Sequence, residues 1–159
     1  MKKLLIVSHT PSPNTRAMAR VVAEGASHAD ISGIEVRLKA PLETGPEEIL
    51  DADAIILGTT ENFGYMSGGM KDFFDRIYYP CLEKTGSLPF AMFIRAGNDG
   101  FGARSSIERI VKGLAWKQVQ EPLICCGTWQ TSFLDQCEEF GMTLAAGLET
   151  GIFWPLHVM

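Results

Sequence analysis

Leu4-Leu5-Ile6-Val7-Ser8-His9-Thr10-Pro11-Ser12-Pro13-Asn14-Thr15-Arg16 is the stretch on which the fold turns. Leu4 to Val7 is an apolar run without polar alternation, as in a strand covered on both faces. It stops at Ser8. A short segment of hydroxyls and prolines follows. A helical pattern then opens at Asn14, a residue suited to a helix cap, and runs to about Ala26. A strand that empties into a helix start leaves backbone N–H groups free and points the positive end of the helix dipole into the same space. In physical terms that is an anion site suited to phosphate. Ser8, Thr10, Ser12 and Thr15 add hydroxyls, and no Lys or Arg lies among them. The Gly-x-x-x-x-Gly-Lys-Ser/Thr pattern of triphosphate loops is absent, as is the Gly-x-Gly-x-x-Gly of dinucleotide loops. Taken alone, the segment reads either as a capped helix start and no more, or as a neutral cradle for a terminal phosphomonoester.

Beyond this stretch, apolar runs keep alternating with helical periods. Ile34–Leu38 alternates as a second strand, and a short helical turn over Pro46–Leu50 leads into a third at Ala54–Gly58. Met70, Phe73, Phe74, Ile77, Tyr78 and Cys81 fall at the spacing of a helix, with Pro80 near its end. Pro89–Arg95 is a fourth strand, and Ile107, Ile110, Val111 and Leu114 define the next helix. Val119–Cys126 is a fifth strand, broken or placed at an edge by Pro122. Ser132–Glu149 is a last helix, stopped by Gly151. Regular β-α alternation predicts an α/β fold with a parallel sheet. Five strands in this length match the flavodoxin-like doubly wound five-stranded parallel sheet, order 2-1-3-4-5, as a single domain over residues 1–159. In that order, ligands bind outside the carboxyl ends of the strands, where the winding reverses between strands one and three. The apolar tail Ile152–Met159 either covers the core or meets another subunit.

Composition narrows the class. The chain has 159 residues, 46% hydrophobic and 21% charged, as in ordinary globular proteins. A net charge of −5 without any run of Lys or Arg argues against a nucleic-acid partner. No stretch approaches the roughly 18 apolar residues of a membrane span, and the N-terminal apolar run is too short for a signal core. Cys81, Cys125, Cys126 and Cys137 match no zinc spacing and read as free buried thiols of a cytoplasmic protein.

Two further segments follow strands and should share the rim with the first. Gly58 to Lys71 is long for a βα loop, and it carries Phe63, Tyr65 and Met66 beside flexible glycines, which suits a flat aromatic ligand. Aromatics tucked into the segment's own core are the alternative. Ala96 to Gly102 has three glycines in six residues, Gly97 to Gly102, so its backbone amides can approach a ligand edge closely. A plain flexible turn is the alternative there.

Gly58, Thr59, Phe63, Gly64, Met66, Ser67, Gly68, Met70, Lys71, Phe73 or Phe74, and Asp75 stand where a known pattern has its fixed residues. The segment resembles the second flavin loop of the flavodoxin-like NAD(P)H-dependent reductases, nearest to the quinone reductases of tryptophan-repressor-binding-protein type. The likeness extends at the level of fold and loops over about residues 3–150. It implies an FMN-binding oxidoreductase that takes hydride from NAD(P)H and passes electrons to a quinone, a flavin or another small-molecule acceptor, as a homodimer or homotetramer. The alternative is a flavodoxin-type carrier acting with a protein partner. By resemblance, Ser8, Thr10, Asn14 and Thr15 hold the FMN phosphate. Thr60, Glu61, Asn62, Phe63 and Gly64 line the isoalloxazine ring, and Gly97 and Asn98 lie along its other side. Thr60 replaces the family's proline. Glu61 puts a carboxylate where a neutral hydroxyl is usual, and contact with the ring would lower its reduction potential. Gly127-Thr128-Trp129-Gln130 replaces the longer segment with which those reductases complete their site across subunits. No catalytic triad is needed or found. His9 either adds a donor or faces water. Arg95 and Arg104 are either attractors of an NADPH phosphate or solvated charges, and Trp129 is either an outer wall of the site or packing.

Overall fold

A computed structural model of the chain describes residues 1–153. Its strands are β1 (Lys2–Ser8), β2 (Ile34–Lys39), β3 (Ala54–Asn62), β4 (Tyr65–Met66), β5 (Pro89–Ala96), β6 (Lys117–Gln118) and β7 (Leu123–Cys126). Its α-helices are α1 (Pro13–Ala26), α2 (Pro46–Asp51), α3 (Gly68–Cys81), α4 (Phe101–Gly113) and α5 (Ser132–Thr150).

The main sheet runs β2-β1-β3-β5, with β6 and β7 both on the outer side of β5. Every pairing is parallel except that of β3 with β4. The flavodoxin-like order expected from the sequence is therefore observed, with one amendment. Strand five is two short pieces: β6 pairs with Pro89 and Phe90, and β7 pairs with Phe93 to Ala96. Pro122 lies in the gap, where it can donate no ladder hydrogen bond.

Alternating side chains sort the interior into two layers. Leu5, Val7, Ile55, Leu57, Met92 and Ile94 face α2, α3 and α4. Leu4, Ile6, Ile56, Ala91 and Phe93 face α1 and α5. The central strands are buried on both faces, which explains their unbroken apolar runs. The edge strand β2 instead alternates, with Ile34 and Val36 partly buried and Glu35 and Arg37 exposed. Helices α1 and α5 approach so closely that a Cβ on Gly25 would lie 2.0 Å from the Glu138 carbonyl oxygen, and one on Gly141 2.0 Å from that of Val22. Of the apolar tail, Phe153 packs on the core, where a Cβ on Gly147 would come within 2.5 Å of its ring. Ile152 is exposed. The rest of the tail, residues 154–159, lies outside the described residues.

Candidate functional site

β1, β3 and β5 all end at one rim, and α1, α3 and α4 all start there. The first rim segment follows Ser8. Its hydroxyl is buried beside the floor of β3: a Cβ on Gly58 would lie 2.4 Å from Ser8 Oγ and 2.4 Å from the Phe93 ring. The His9 amide donates to the Gly58 carbonyl at 2.9 Å and ties the segment to β3. The cap of α1 is Ser12, not Asn14. Thr15 N donates to Ser12 Oγ at 3.2 Å, and Ser12 N donates back to Thr15 Oγ1 at 3.0 Å. Pro13 fills the first helical position, where a missing amide hydrogen does no harm. Asn14 is therefore an exposed residue of the first turn. Pro11 and Pro13 have no amide hydrogen, and the box occupies those of Ser12 and Thr15. The donors this segment can aim at an anion thus include the Thr10 and Asn14 backbone amides, the exposed Asn14 side-chain amide and the Ser8 and Thr10 hydroxyls. Ser8 and Thr10 line one depression of about 260 Å³ together with Arg16, Lys39 and apolar neighbours.

His9 does not simply face water. Its ring lies over the start of α3, where a Cβ on Gly69 would come 3.2 Å from Nδ1. Burial holds its pKa below the ordinary value.

The second rim segment is a β-hairpin rather than a long loop. β3 continues through Thr60 and Glu61 to Asn62, and Glu61 and Asn62 pair antiparallel with Met66 and Tyr65. Phe63 and Gly64 form the turn with φ of +54° and +69°. Two successive positive φ values are the signature of the tight turn that suits strand twist. Gly64 adopts this at no cost, whereas Phe63 does so with its ring wholly exposed. Thr60 Oγ1 donates to Asn62 Oδ1 at 3.0 Å, so these two polar side chains stand together. Behind them, Thr59 Oγ1 accepts from Ser67 N at 3.0 Å, and Ser67 Oγ caps α3 by accepting from Met70 N at 3.1 Å.

The third segment is short. Gly97, Asn98 and Asp99 are exposed, Gly100 takes φ of +76°, and α4 has already begun at Phe101. A Cβ on Gly97 would meet nothing within 4 Å, so one flank of the rim is open there. Glu61, expected with Thr60 to Gly64 along the ring, turns its carboxylate to the start of α4. Its Oε2 accepts from the Gly102 and Ala103 amides at 2.9 and 3.2 Å, and Asp99 Oδ1 accepts from Phe101 N at 3.0 Å. The start of α4 is thereby filled by two carboxylates. With Glu61 held on α4, the expected lowering of a flavin potential by its contact with the ring loses its basis.

Arg95 and Arg104 both have partners. Arg95 donates to the carbonyls of Ala96, Cys125 and Gly127 at 2.7, 3.0 and 2.8 Å, and its guanidinium stacks 5.8 and 5.3 Å from the rings of Trp129 and Phe133. Arg104 pairs with Glu108 at 3.2 Å. Trp129 meets Phe133 edge-on at 5.6 Å and serves packing. The backbone-anchoring role of Arg95 carries no local sequence signal, because its partners lie up to 32 residues away. Cys126 is exposed, contrary to the reading of all four thiols as buried. Cys81 is buried, which pushes its thiol up. Cys125 and Cys137 are buried against each other, and their thiol–thiol hydrogen bond lowers the first and raises the second. Among the described residues no group of three or more His, Cys, Asp or Glu could hold a metal ion, and no helix is long and apolar enough to cross a membrane.

FMN, the group implied by the sequence resemblance, fits this rim in its donor chemistry. Hydroxyls and amides at the start of α1 suit its phosphate. The Thr60–Asn62 pair and the open flank at Gly97 suit a polar-edged flat ring.

No family model matches the chain. A flavodoxin from Aquifex aeolicus is 43% identical over 77 residues, which is 48% of this chain and 40% of that protein. The chain thus matches well under half the length of that curated relative. Among solved structures, an archaeal flavodoxin superposes with a TM-score of 0.74 at 20% identity, over 92% of this chain and 98% of that one. A WrbA-like flavodoxin from Agrobacterium tumefaciens gives 0.72 at 19%, over 94% and 99%. The flavodiiron protein of Giardia intestinalis gives 0.76 at 16%, over 98% of this chain but 38% of that one. At these identities the likeness lies in the fold, and together with the strand order it shows that this chain has the flavodoxin-like fold.

Proposed function

We propose that this chain binds FMN along the carboxyl edge of its sheet and uses it to carry electrons to or from a protein partner. One observation supports this most. Where the winding reverses between β1 and β3, a helix start backed by the Ser8 and Thr10 hydroxyls faces a rim whose Gly97 flank is open. The name of the Aquifex relative, a flavodoxin, supports the same reading. Bound FMN would supply reversible electron uptake and release. The protein's own residues bind and orient it: Ser8, Thr10 and the Asn14 amide at the phosphate, Thr60 and Asn62 near the ring edge, and Gly97 and Asn98 along its other side.

The carrier reading is preferred to hydride transfer from NAD(P)H to a small-molecule acceptor because the curated relative is a flavodoxin, as are solved structures that share the fold. Of the two arginines singled out in the sequence, Arg95 is committed to three backbone carbonyls and Arg104 to a surface pair with Glu108. Titration with FMN, followed by quenching of flavin fluorescence, tests the binding. Saturable quenching at one flavin per chain is expected, and no quenching would remove the proposal. Adding NADH and NADPH to the loaded protein then separates the readings. A carrier keeps its flavin absorbance for minutes under either nucleotide and loses it with dithionite. Bleaching within seconds would return the chain to the reductases.

A further inference from the structure

We propose that Glu61 is a positioning residue, a latch that locks the second rim segment onto the third and so fixes the width of the ring slot. This rests on the FMN reading. The cap residue of α4, Gly100, has no side chain, and the neighbouring Asp99 takes only the Phe101 amide. The missing acceptor arrives from the far side of the rim: Glu61 Oε2 takes the Gly102 and Ala103 amides at 2.9 and 3.2 Å. These are hydrogen bonds from a helix start to a carboxylate, so charge and dipole both strengthen them.

Two further contacts make the junction rigid. A Cβ on Gly102 would lie 1.9 Å from the Gly64 carbonyl oxygen, so the hairpin turn rests directly on the helix backbone. Met66 N donates to Ser106 Oγ at 3.2 Å, and Ser106 Oγ donates to the Ala103 carbonyl at 2.9 Å. The hairpin and the first turn of α4 therefore move as one body. The third segment ends on that body, because Gly100 leads straight into α4. Any ring lying between hairpin and third segment sits in a slot whose two walls this carboxylate joins. Without it, the hairpin and the helix start can separate, and the slot loses its preset width before any ligand arrives.

The latch acts on the ring and not on the phosphate, which gives it a distinct signature. Glu61→Ala is expected to weaken riboflavin and FMN equally, by about tenfold each, given the strength of charge-assisted hydrogen bonds. Glu61→Gln keeps an acceptor oxygen and should recover part of that loss. Should the alanine variant fold poorly, Ser106→Ala removes the lesser tie and should weaken both flavins by a smaller, equal factor. Amide exchange measured without flavin provides an independent readout. Gly102 and Ala103 should exchange at least about tenfold faster in Glu61→Ala, while Val7 and Ile56 in the central strands keep their protection. A folded Glu61→Ala that binds riboflavin as tightly as the parent protein overturns the proposal, as does unchanged exchange at Gly102 and Ala103. Failure of the parent protein to bind either flavin is a different result. It removes the FMN reading and with it the slot, and leaves the exchange data to judge the hairpin–helix lock alone.

Discussion

Replacing Gly141 by alanine tests the packing that seats α1, and with it the first rim segment. In an ordinary helix interior the change stabilises by about 1 kcal/mol, because glycine is a poor helix former. Here the sign should reverse. A Cβ on Gly141 would lie 2.0 Å from the carbonyl oxygen of Val22. The obstacle is main chain, so no side-chain rotation relieves it. Nonbonded atoms are comfortable at about 3.5 Å, so α1 and α5 must part by roughly 1 Å or more. Parting them loosens a seam that buries Met18, Val22, Leu144 and Leu148. Overpacking a dense core costs about 1–3 kcal/mol, and a backbone obstacle belongs at the upper end. Net of the helix-propensity gain, the loss comes to about 2 kcal/mol. For a chain of this length that lowers the melting midpoint by about 4–8 °C. Thermal unfolding followed by circular dichroism at constant pH measures it, and urea unfolding at 25 °C checks it. A Gly141→Ala protein melting at or above the parent would refute the close approach of the two helices.

Four other outcomes are expected. Asn14→Asp places a carboxylate in the first turn of α1, where Asn14 is exposed, and should weaken FMN while leaving riboflavin unchanged in fluorescence titrations. Gly97→Val should block the ring from the open flank with little change in melting temperature, since the new side chain meets nothing in the protein; unaltered flavin affinity would place the ring elsewhere. Phe63→Asn should stabilise the protein by about 1 kcal/mol in urea unfolding, because asparagine tolerates the positive φ and the lost ring is wholly exposed. His9 contributes in acid. Its folded pKa lies below its ordinary 6.5, so as pH falls past 6.5 the unfolded chain takes up the proton first and stability drops; His9→Gln should flatten the stability-against-pH curve in that window.

The strand order, the two-sided burial of β1, β3 and β5, and the meeting of three segments at one rim were all legible in the sequence. The elements are written in local periodicity, and their regular alternation carries the fold class, from which strand order and rim follow. What was not legible depends on contacts between distant residues or on a competition between neighbours. Ser12 and Asn14 are both good caps, and the choice falls to Ser12 because Pro13 fits the first helical position and Thr15 can close the box. That signal was present in the sequence as Ser-Pro-Asn-Thr. The hairpin was harder to see. Its turn carries phenylalanine where asparagine or glycine is usual, so nothing local announces it. Its stability comes from α4, some 40 residues on, through Glu61 and Ser106. The same distance hid the role of Glu61. Beside Thr60 in a rim segment it reads as a ligand contact, and only the packed structure brings α4's amides to it.

That displaced carboxylate also bears on which way round a bound flavin lies. Of the three helices that start at this rim, α1 and α4 follow the first and third segments, and by dipole alone either start could face a phosphate. They differ in what already occupies them. At α4, Glu61 and Asp99 take the amides of Phe101, Gly102 and Ala103, so an arriving dianion meets two negative charges and no free donor. At α1 the cap is a serine, the first turn has no acidic residue, and Arg16 borders the same depression as Ser8 and Thr10, with Lys39, paired to Glu48, beside it. Between these two ends, like-charge repulsion at α4 and free amide and hydroxyl donors at α1 favour a flavin, were it bound as proposed, with its phosphate at α1 and its ring toward the hairpin. Glu61, one of the two carboxylates that make α4 hostile to phosphate, is also the group that ties the hairpin to it. One side chain thus bears on both the polarity of the rim and its shape.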